Sequence, residues 1–294
     1  MHRTKICLSA AYGLLLTAFT VFLLLDTFAI PHVYSNAENR TESAYEPLLS
    51  AGERLGDYND GGVSIRLTAY RCFDSDIFVA EVWLSSPDQL KTALAKEAYG
   101  RNLKERPSVM AERNHAILAV NGDYYGAQEK GYVLRNGSIY RTTGTEGQED
   151  LVIYRDGTFD IIEEQRTTLQ TLQAYGAAQA LSFGPALMED GVVSVQESDL
   201  RGKDRTRNPR TAIGCIDALH YVFVVADGRT DASDGPTIPE LAEVMACLGA
   251  QTAYNLDGGG SSCMVFDGEV VNHPTTTGNR TKEREVSGIV YIGF

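Results

Sequence analysis

Apolar positions along the chain fall into three regimes. From Ile6 to Leu25 the sequence runs without a formal charge. At ~1.5 Å per residue such a helix spans about 30 Å, the thickness of a bilayer core. Arg3 and Lys5 precede the run, while Asp26 and Pro31 close it. The positive flank predicts a single-pass anchor over residues 1–30, inserted through residues 6–25, with the remainder extracytoplasmic at the cell membrane. The run exceeds an ordinary signal-peptide core, and no small-x-small cleavage site follows it directly. Residues 31–59 are polar, rich in Asn, Glu, Ser and Gly, and lack periodicity, so they read as a stalk. From residue 60 the apolar pattern is dense to the end, predicting one folded domain over 60–294.

Within that domain, period-two and continuous apolar runs predominate. Val63–Cys72 and Ile77–Ser85 read as strands around the turn Phe73-Asp74-Ser75-Asp76. Asn136-Gly137 and Asp156-Gly157 each sit between β-rich segments and suit the positive φ angles of hairpin turns. Ala116–Asn121, Ala180–Phe183, Arg210–Ile216, Tyr221–Ala226, Thr252–Asn255, Cys263–Asp267 and Val286–Ile292 read as further strands. Helical spacing of Leu90, Ala93, Leu94 and Ala98 predicts a helix over Pro87–Tyr99. Shorter helices are predicted at Val109–Asn114 and Thr168–Ala178. Thr237-Ile238-Pro239-Glu240 carries an N-cap Thr, an early Pro and an N3 Glu, starting a helix that ends at Gly249. The fold class that follows is α+β: a single mixed, strand-rich domain with a few packed helices behind an N-terminal membrane anchor.

Composition is that of a globular protein, with 43% hydrophobic and 22% charged residues. Charge changes the picture more. The net charge is −13, and the portion beyond residue 40 is more acidic still. Such a domain lacks the basic footprint of a nucleic-acid binder. Phosphate recognition would therefore have to come from a few placed cations rather than a broad field. Cys72, Cys215, Cys247 and Cys263 are widely spaced, form no C-x-x-C pair and sit in apolar runs, so they read as core residues.

Candidate chemistry gathers in four polar clusters at strand ends, where a rigid scaffold positions side chains. Asn121-Gly122-Asp123-Tyr124-Tyr125 offers an amide, a carboxylate and two aromatic rings after a buried strand. Arg210 opens a strand directly after Pro209, a placement suited to bidentate capture of a phosphate or carboxylate. Asp227-Gly228-Arg229 follows the apolar run ending at Ala226. The fourth cluster is the most specific. In Asn255-Leu256-Asp257-Gly258-Gly259-Gly260-Ser261-Ser262, three consecutive glycines raise the entropy lost on folding, by about 0.5–1 kcal/mol each relative to Ala in a regular element. A turn that bears such a cost brings backbone close to something, or needs positive φ repeatedly. Its amides and serine hydroxyls suit an anion-binding nest beside Asp257. Glu240 already has a structural task in the capping box, and His273 in Asn272-His273-Pro274 lies in a polar loop.

Taken together, Pro209–Gly214, Asp227–Arg229, the Thr237–Leu241 helix start, Asn255–Ser262 and Glu283-Arg284 resemble the phosphodiester glycosidase family. Ala119–Tyr125 resembles the family's Asn-Gly segment with its aromatic pair. The resemblance implies hydrolysis of the C1–O bond of a sugar-1-phosphodiester. It also implies a site in which cations stabilise the departing phosphate while a carboxylate attends the oxocarbenium-like carbon. Arg210, Arg229, Arg284 and the Gly258–Gly260 amides fit the first task. Asp257, Asp227 and Asp123 compete for the second, with Asp257 placed first. Asn121, Tyr124, Asn255 and Ser261 complete the expected substrate contacts. The acidic loop Asp231–Thr237 departs from the family pattern, and so does the polar tail Thr275–Arg284.

Extracytoplasmic placement then suggests a cell-envelope glycopolymer or exopolysaccharide as substrate, cleaved without a cofactor. Two other readings fit the same clusters. A non-catalytic glycan-phosphate-binding module would use Tyr124 and Tyr125 as stacking platforms. A metal-dependent phosphodiesterase would hold a divalent cation on Asp123, Asp227 and Asp257 and cleave the P–O bond.

Overall fold

The computed structural model describes residues 17, 19–20, 46–49, 51–195, 200, 205–277 and 280–294. The chain divides into Met1–Ser43 and Ala44–Phe294. Of the first unit only Thr17, Phe19 and Thr20 are described; they are helical and exposed. The expected anchor over residues 6–25 thus falls almost wholly outside the described residues. Among those described, no helix is long and apolar enough to cross a membrane.

In the second unit the strands are, in chain order, β1 (Glu53–Asp60), β2 (Val63–Cys72), β3 (Ser75–Leu84), β4 (Leu90–Leu94), β5 (Leu118–Asn121), β6 (Val133–Arg135), β7 (Ser138–Arg141), β8 (Glu149–Tyr154) and β9 (Phe159–Glu163). They continue with β10 (Ala177–Ser182), β11 (Ala186–Glu189), β12 (Val192–Val193), β13 (Arg210–Asp217), β14 (His220–Ala226), β15 (Thr252–Leu256), β16 (Met264–Phe266), β17 (Glu269–Val270) and β18 (Gly288–Ile292). Among the described residues of this unit three α-helices interpose: α1 (Pro107–Arg113), α2 (Leu169–Ala174) and α3 (Ile238–Cys247). The strands form an eight-stranded sheet, β1-β2-β3-β14-β13-β15-β11-β12, and two five-stranded sheets, β7-β6-β10-β8-β9 and β17-β16-β5-β18-β4. The domain is strand-rich α+β, as the periodicity predicts.

The long sheet is covered on both faces at its centre. Ile65, Leu67, Phe78, Ile213, Phe223 and Val225 join one core that also takes side chains from the two smaller sheets. On the other face Ile77, Val79, Val222 and Val224 pack against Ile238, Leu241 and Met245 of α3. Two-sided burial explains why Tyr221–Ala226 is apolar throughout rather than alternating. Thr237 caps α3 as expected: its hydroxyl accepts from the Glu240 amide, and Glu240 Oε2 accepts from the Thr237 amide at 2.8 Å.

Two expectations are corrected. Pro87–Tyr99 is not a helix. Ser86 caps a short 3-10 turn over Pro87–Gln89, and Leu90–Leu94 then runs as an edge strand against β18. The spacing of Leu90, Ala93, Leu94 and Ala98 mimics a helix because a strand and two 3-10 turns share the segment, and cross-strand pairing decides the outcome. The polar stalk read as far as Asn59 is also too long, since Glu53–Asp60 is β1, paired to β2 along nearly its whole length. This edge strand is exposed on both faces, so it is held by backbone hydrogen bonds and leaves no apolar alternation in the sequence.

Candidate active site

Sheet register carries distant sequence segments to one rim. β13 runs antiparallel to both β14 and β15, with Arg210 opposite Ala226 and Thr211 opposite Leu256. The start of β13 therefore lies beside the ends of β14 and β15, which brings together Arg210, Asp227 and Asp257. The β5 end arrives from the second sheet and is stitched on by Asn121. Its side-chain oxygen accepts from Thr211 Oγ1 (2.8 Å) and the Cys263 amide (3.1 Å), and its amide donates to the Asp257 carbonyl at 2.6 Å. Asn121 is fully buried and holds the two sheets and the glycine turn in one frame.

Asp257 sits partly exposed at the mouth of that frame. Burial against the domain pushes its carboxyl up to about 6. The Ser261 hydroxyl, the Arg284 charge and the Gly258 amide pull the other way, while Asp123 adds to the rise. A carboxyl poised near neutrality, with a cation and a hydroxyl beside it, is the arrangement that acid–base and nucleophilic chemistry uses.

The glycines have a more specific task than an open nest. The Gly259 amide donates to Pro209 O at 2.8 Å, that of Ser261 to Gly258 O, and that of Ser262 to Gly259 O. Most of the turn's donors are therefore spent on the fold. What demands glycine is close approach and angle. A β-carbon on Gly258 would stand 2.9 Å from Pro209 O, Gly259 has φ +63°, and Gly260 lies against the Thr276 side chain. Arg229 occupies the outer side of the turn. It is exposed, its guanidinium donates to Asn208 Oδ1 (2.9 and 3.0 Å) and Thr276 O (3.0 Å), and it would stand 2.8 Å from a β-carbon on Gly259.

Other expected contacts are placed differently. Arg210 is buried, and its guanidinium donates to the backbone carbonyls of Pro236 (3.2 Å) and Thr206 (2.8 Å). Asp123 is buried, its two carboxylate oxygens accept from Arg135 Nη2 at 2.6 and 2.7 Å, and Oδ2 also accepts from the Ser182 amide. Asn255 is buried and donates to Gly184 O. Tyr124 is half-buried with the Lys104 ammonium 6.0 Å from its ring.

Asp227 shares none of Asp257's partners. Burial pushes its carboxyl up, and hydrogen bonds from Asn272 and His273 oppose the rise. Asn272 Nδ2 donates at 2.9 Å, the His273 amide at 3.0 Å, and the His273 ring nitrogen Nδ1 lies 2.9 Å away. The imidazole is largely exposed beside a cavity of about 330 Å³ that Thr230, Ala232 and Thr281 help to line. Sequence reasoning treated His273 as a loop residue, and only its place in Asn-His-Pro hinted otherwise. Arg135, which holds Asp123 in place, carries no signal in the sequence. Among the described residues, no group of three or more His, Cys, Asp or Glu is disposed to hold a metal ion. The described cysteines are free thiols, with Cys72 and Cys263 buried.

Gly228 separates Asp227 from Arg229 where backbone meets backbone. A β-carbon there would lie 2.7 Å from Pro209 N, 2.8 Å from Asp234 O and 2.9 Å from Gly235 Cα. No side chain can yield to relieve the contact. Gly228→Ala is therefore expected to destabilise the domain by about 2 kcal/mol or more, lowering Tm by about 4–8 °C in a thermal melt. An unchanged Tm would show that this junction relaxes freely.

A phosphodiester glycosidase family model matches residues 114–293. The SPbeta prophage-derived uncharacterized protein YomE of Bacillus subtilis is 26% identical over 180 residues, covering 60% of this chain and 28% of that protein. N-acetylglucosamine-1-phosphodiester alpha-N-acetylglucosaminidase of Mus musculus is 26% identical over 174 residues, covering 54% of this chain and 33% of the enzyme. The chain thus spans about a third of the length of these relatives. The zebrafish counterpart's catalytic domain, solved auto-inhibited by its pro-peptide, superposes with a TM-score of 0.62 at 20% identity, over 82% of this chain and 87% of that one.

Proposed function

Because the chain belongs to the phosphodiester glycosidase family, we propose that it hydrolyses the C1–O bond of sugar-1-phosphodiesters at the Asp257 rim. The observation that carries this reading is the partly exposed Asp257 carboxyl, raised to about 6 with Arg284 and Ser261 beside it at the sheet rim. A phosphate monoester leaves readily once its charge is met, so the reaction asks mainly for cations at the phosphate and a carboxylate at the anomeric carbon. Arg229 and Arg284 are both exposed at this rim and supply the cations. Asp257 serves as nucleophile or as base toward water. Asn121, Asp123 and Arg210 act as positioning residues through their buried partners, and Asp227 orients His273 toward solvent.

For the substrate we propose a cell-envelope glycopolymer or exopolysaccharide bearing sugar-phosphate linkages, reached from a membrane anchor at residues 6–25. The motivation is the uncharged run behind Arg3 and Lys5, together with a site whose cations are few and local.

Hydrolysis of an N-acetylglucosamine-1-phospho-methyl ester in oxygen-18 water tests chemistry and titration in one experiment. Cleavage at carbon leaves the released phosphate monoester unlabelled. Because Asp257 must be ionised to act, kcat/KM should fall about tenfold per pH unit below 6 and level off above it. Label in the phosphate would move the reaction to phosphorus. A rate that is highest below pH 5 and declines through 6 would remove Asp257 as nucleophile or base.

A further inference from the structure

Behind Asp123 lies a stack of aromatic rings that the hydrolytic reading leaves unused. Tyr125 is buried, and the Arg135 guanidinium covers its ring at 5.6 Å. Tyr99 stacks on Tyr125 with centroids 5.4 Å apart and planes 16° from parallel. Tyr140 stacks on Tyr99 at 5.0 Å and 27°. Burial falls along the stack: Tyr125 is 1% exposed, Tyr99 37% and Tyr140 41%. Tyr140 belongs to β7, the outermost strand of its sheet, so no further strand covers it.

Beside Tyr140 opens a cavity of about 270 Å³, whose lining includes Glu97, Asn114, Ser138 and Tyr291 as well as Arg135. The charges in this wall are already answered. Arg135 is held by Asp123 at 2.6 Å, and Glu97 lies 3.7 Å from Arg113. A phosphate would find no uncommitted cation among the described residues that line the cavity. An aliphatic ligand would meet amide, hydroxyl and carboxylate groups with nothing to offer them. An aromatic face flanked by amide, hydroxyl and carboxylate groups suits a pyranose, which presents C–H faces to a ring and hydroxyls to the rim.

We infer that the Tyr140 cleft is a subsite for a neutral sugar residue of the glycan that carries the phosphodiester. This rests on the reading of the Asp257 rim as a sugar-phosphate site. The two places are joined through β5 and its following loop: Arg135 lines the cleft and pairs with Asp123, two residues beyond Asn121, whose amide donates to the Asp257 carbonyl. A chain held at Tyr140 would present its phosphodiester at the rim, and the enzyme would prefer oligomeric over minimal substrates.

Isothermal titration of the protein with neutral trisaccharides of glucose, N-acetylglucosamine and mannose tests the inference without requiring turnover. At least one should bind. Tyr140→Ala should weaken binding at least tenfold, while Tyr140→Phe, which keeps the ring, should stay within about twofold. Tyr140 is exposed enough that neither change threatens folding, and hydrolysis of the methyl phosphodiester should be the same in both variants and wild type. Absence of binding by all three trisaccharides, or equal binding by Tyr140→Ala, would overturn the subsite. Tyr140-dependent binding without any hydrolysis by the wild type would instead sink the enzymatic reading and leave the subsite standing.

Discussion

Asp257→Asn is expected to lower kcat by about a thousandfold on a sugar-1-phosphodiester, the scale of losing a positioned base or nucleophile. The fold should survive intact. The asparagine still accepts from Ser261 and the Gly258 amide, and the backbone contacts of residue 257 to Asn121 and Gly122 do not involve its side chain. Stability should in fact rise. A carboxyl whose folded pKa of about 6 lies above its ordinary value of 3.8 stabilises the fold below the unfolded pKa. That contribution is lost as pH climbs through 6. At pH 7 the wild type therefore bears a cost that the amide removes, so Tm should increase while kcat collapses. A loss of activity accompanied by a lower Tm would point to structural damage. Activity within tenfold of wild type, with Asp227→Asn inactive, would transfer the chemical role to the carboxylate that holds His273.

The architecture was largely legible from local chemistry. The turn Asn136-Gly137 has φ +48° and +78°, as a primed hairpin turn requires. Phe73-Asp74 does the same work with φ +50° and +52°, although a phenylalanine gives no such signal in sequence. The α3 capping box could be read directly because it lies within four consecutive residues. What failed were features decided by partners distant in the chain. β4 owes its form to β18, and β1 to β2. The same division runs through the site. The glycine turn marked a place where backbone comes close, but only register shows that Pro209, Arg229 and Thr276 are what approach it. The sequence offers Asp123 as a candidate carboxylate, and only the fold brings to it Arg135, twelve residues on. His273 looked idle because Asp227 is far away in sequence and adjacent in space.

Asp150→Asn is expected to stabilise the domain, and increasingly so as pH rises. Asp150 is fully buried on β8 beside Glu164 and Ser182, and neither of its oxygens makes a hydrogen bond of ordinary geometry. Burial above all, with the nearby Glu164 carboxylate next, raises its carboxyl to about 10. It is therefore neutral in the folded protein at pH 7 and ionised in the unfolded chain. Folding must take up a proton between the ordinary value of 3.8 and about 10, so stability falls across that window as pH increases. Asparagine matches the shape and cannot ionise in either state. At pH 7 the gain has a ceiling of about 4 kcal/mol, from roughly three pKa units at 1.36 kcal/mol each. Relaxation around a buried group brings the expected value to about 2 kcal/mol, or about 4–8 °C in Tm. The difference between variant and wild type should shrink towards pH 4 and vanish below it, where the unfolded aspartate is neutral as well. Thermal melts from pH 4 to 8 distinguish the cases. Parallel curves, or a variant less stable at pH 8 than the wild type, would mean that Asp150 is ionised in the fold. Ser182, the neighbour that favours the charged form, would then have to hold it against the Glu164 and Asp123 carboxylates.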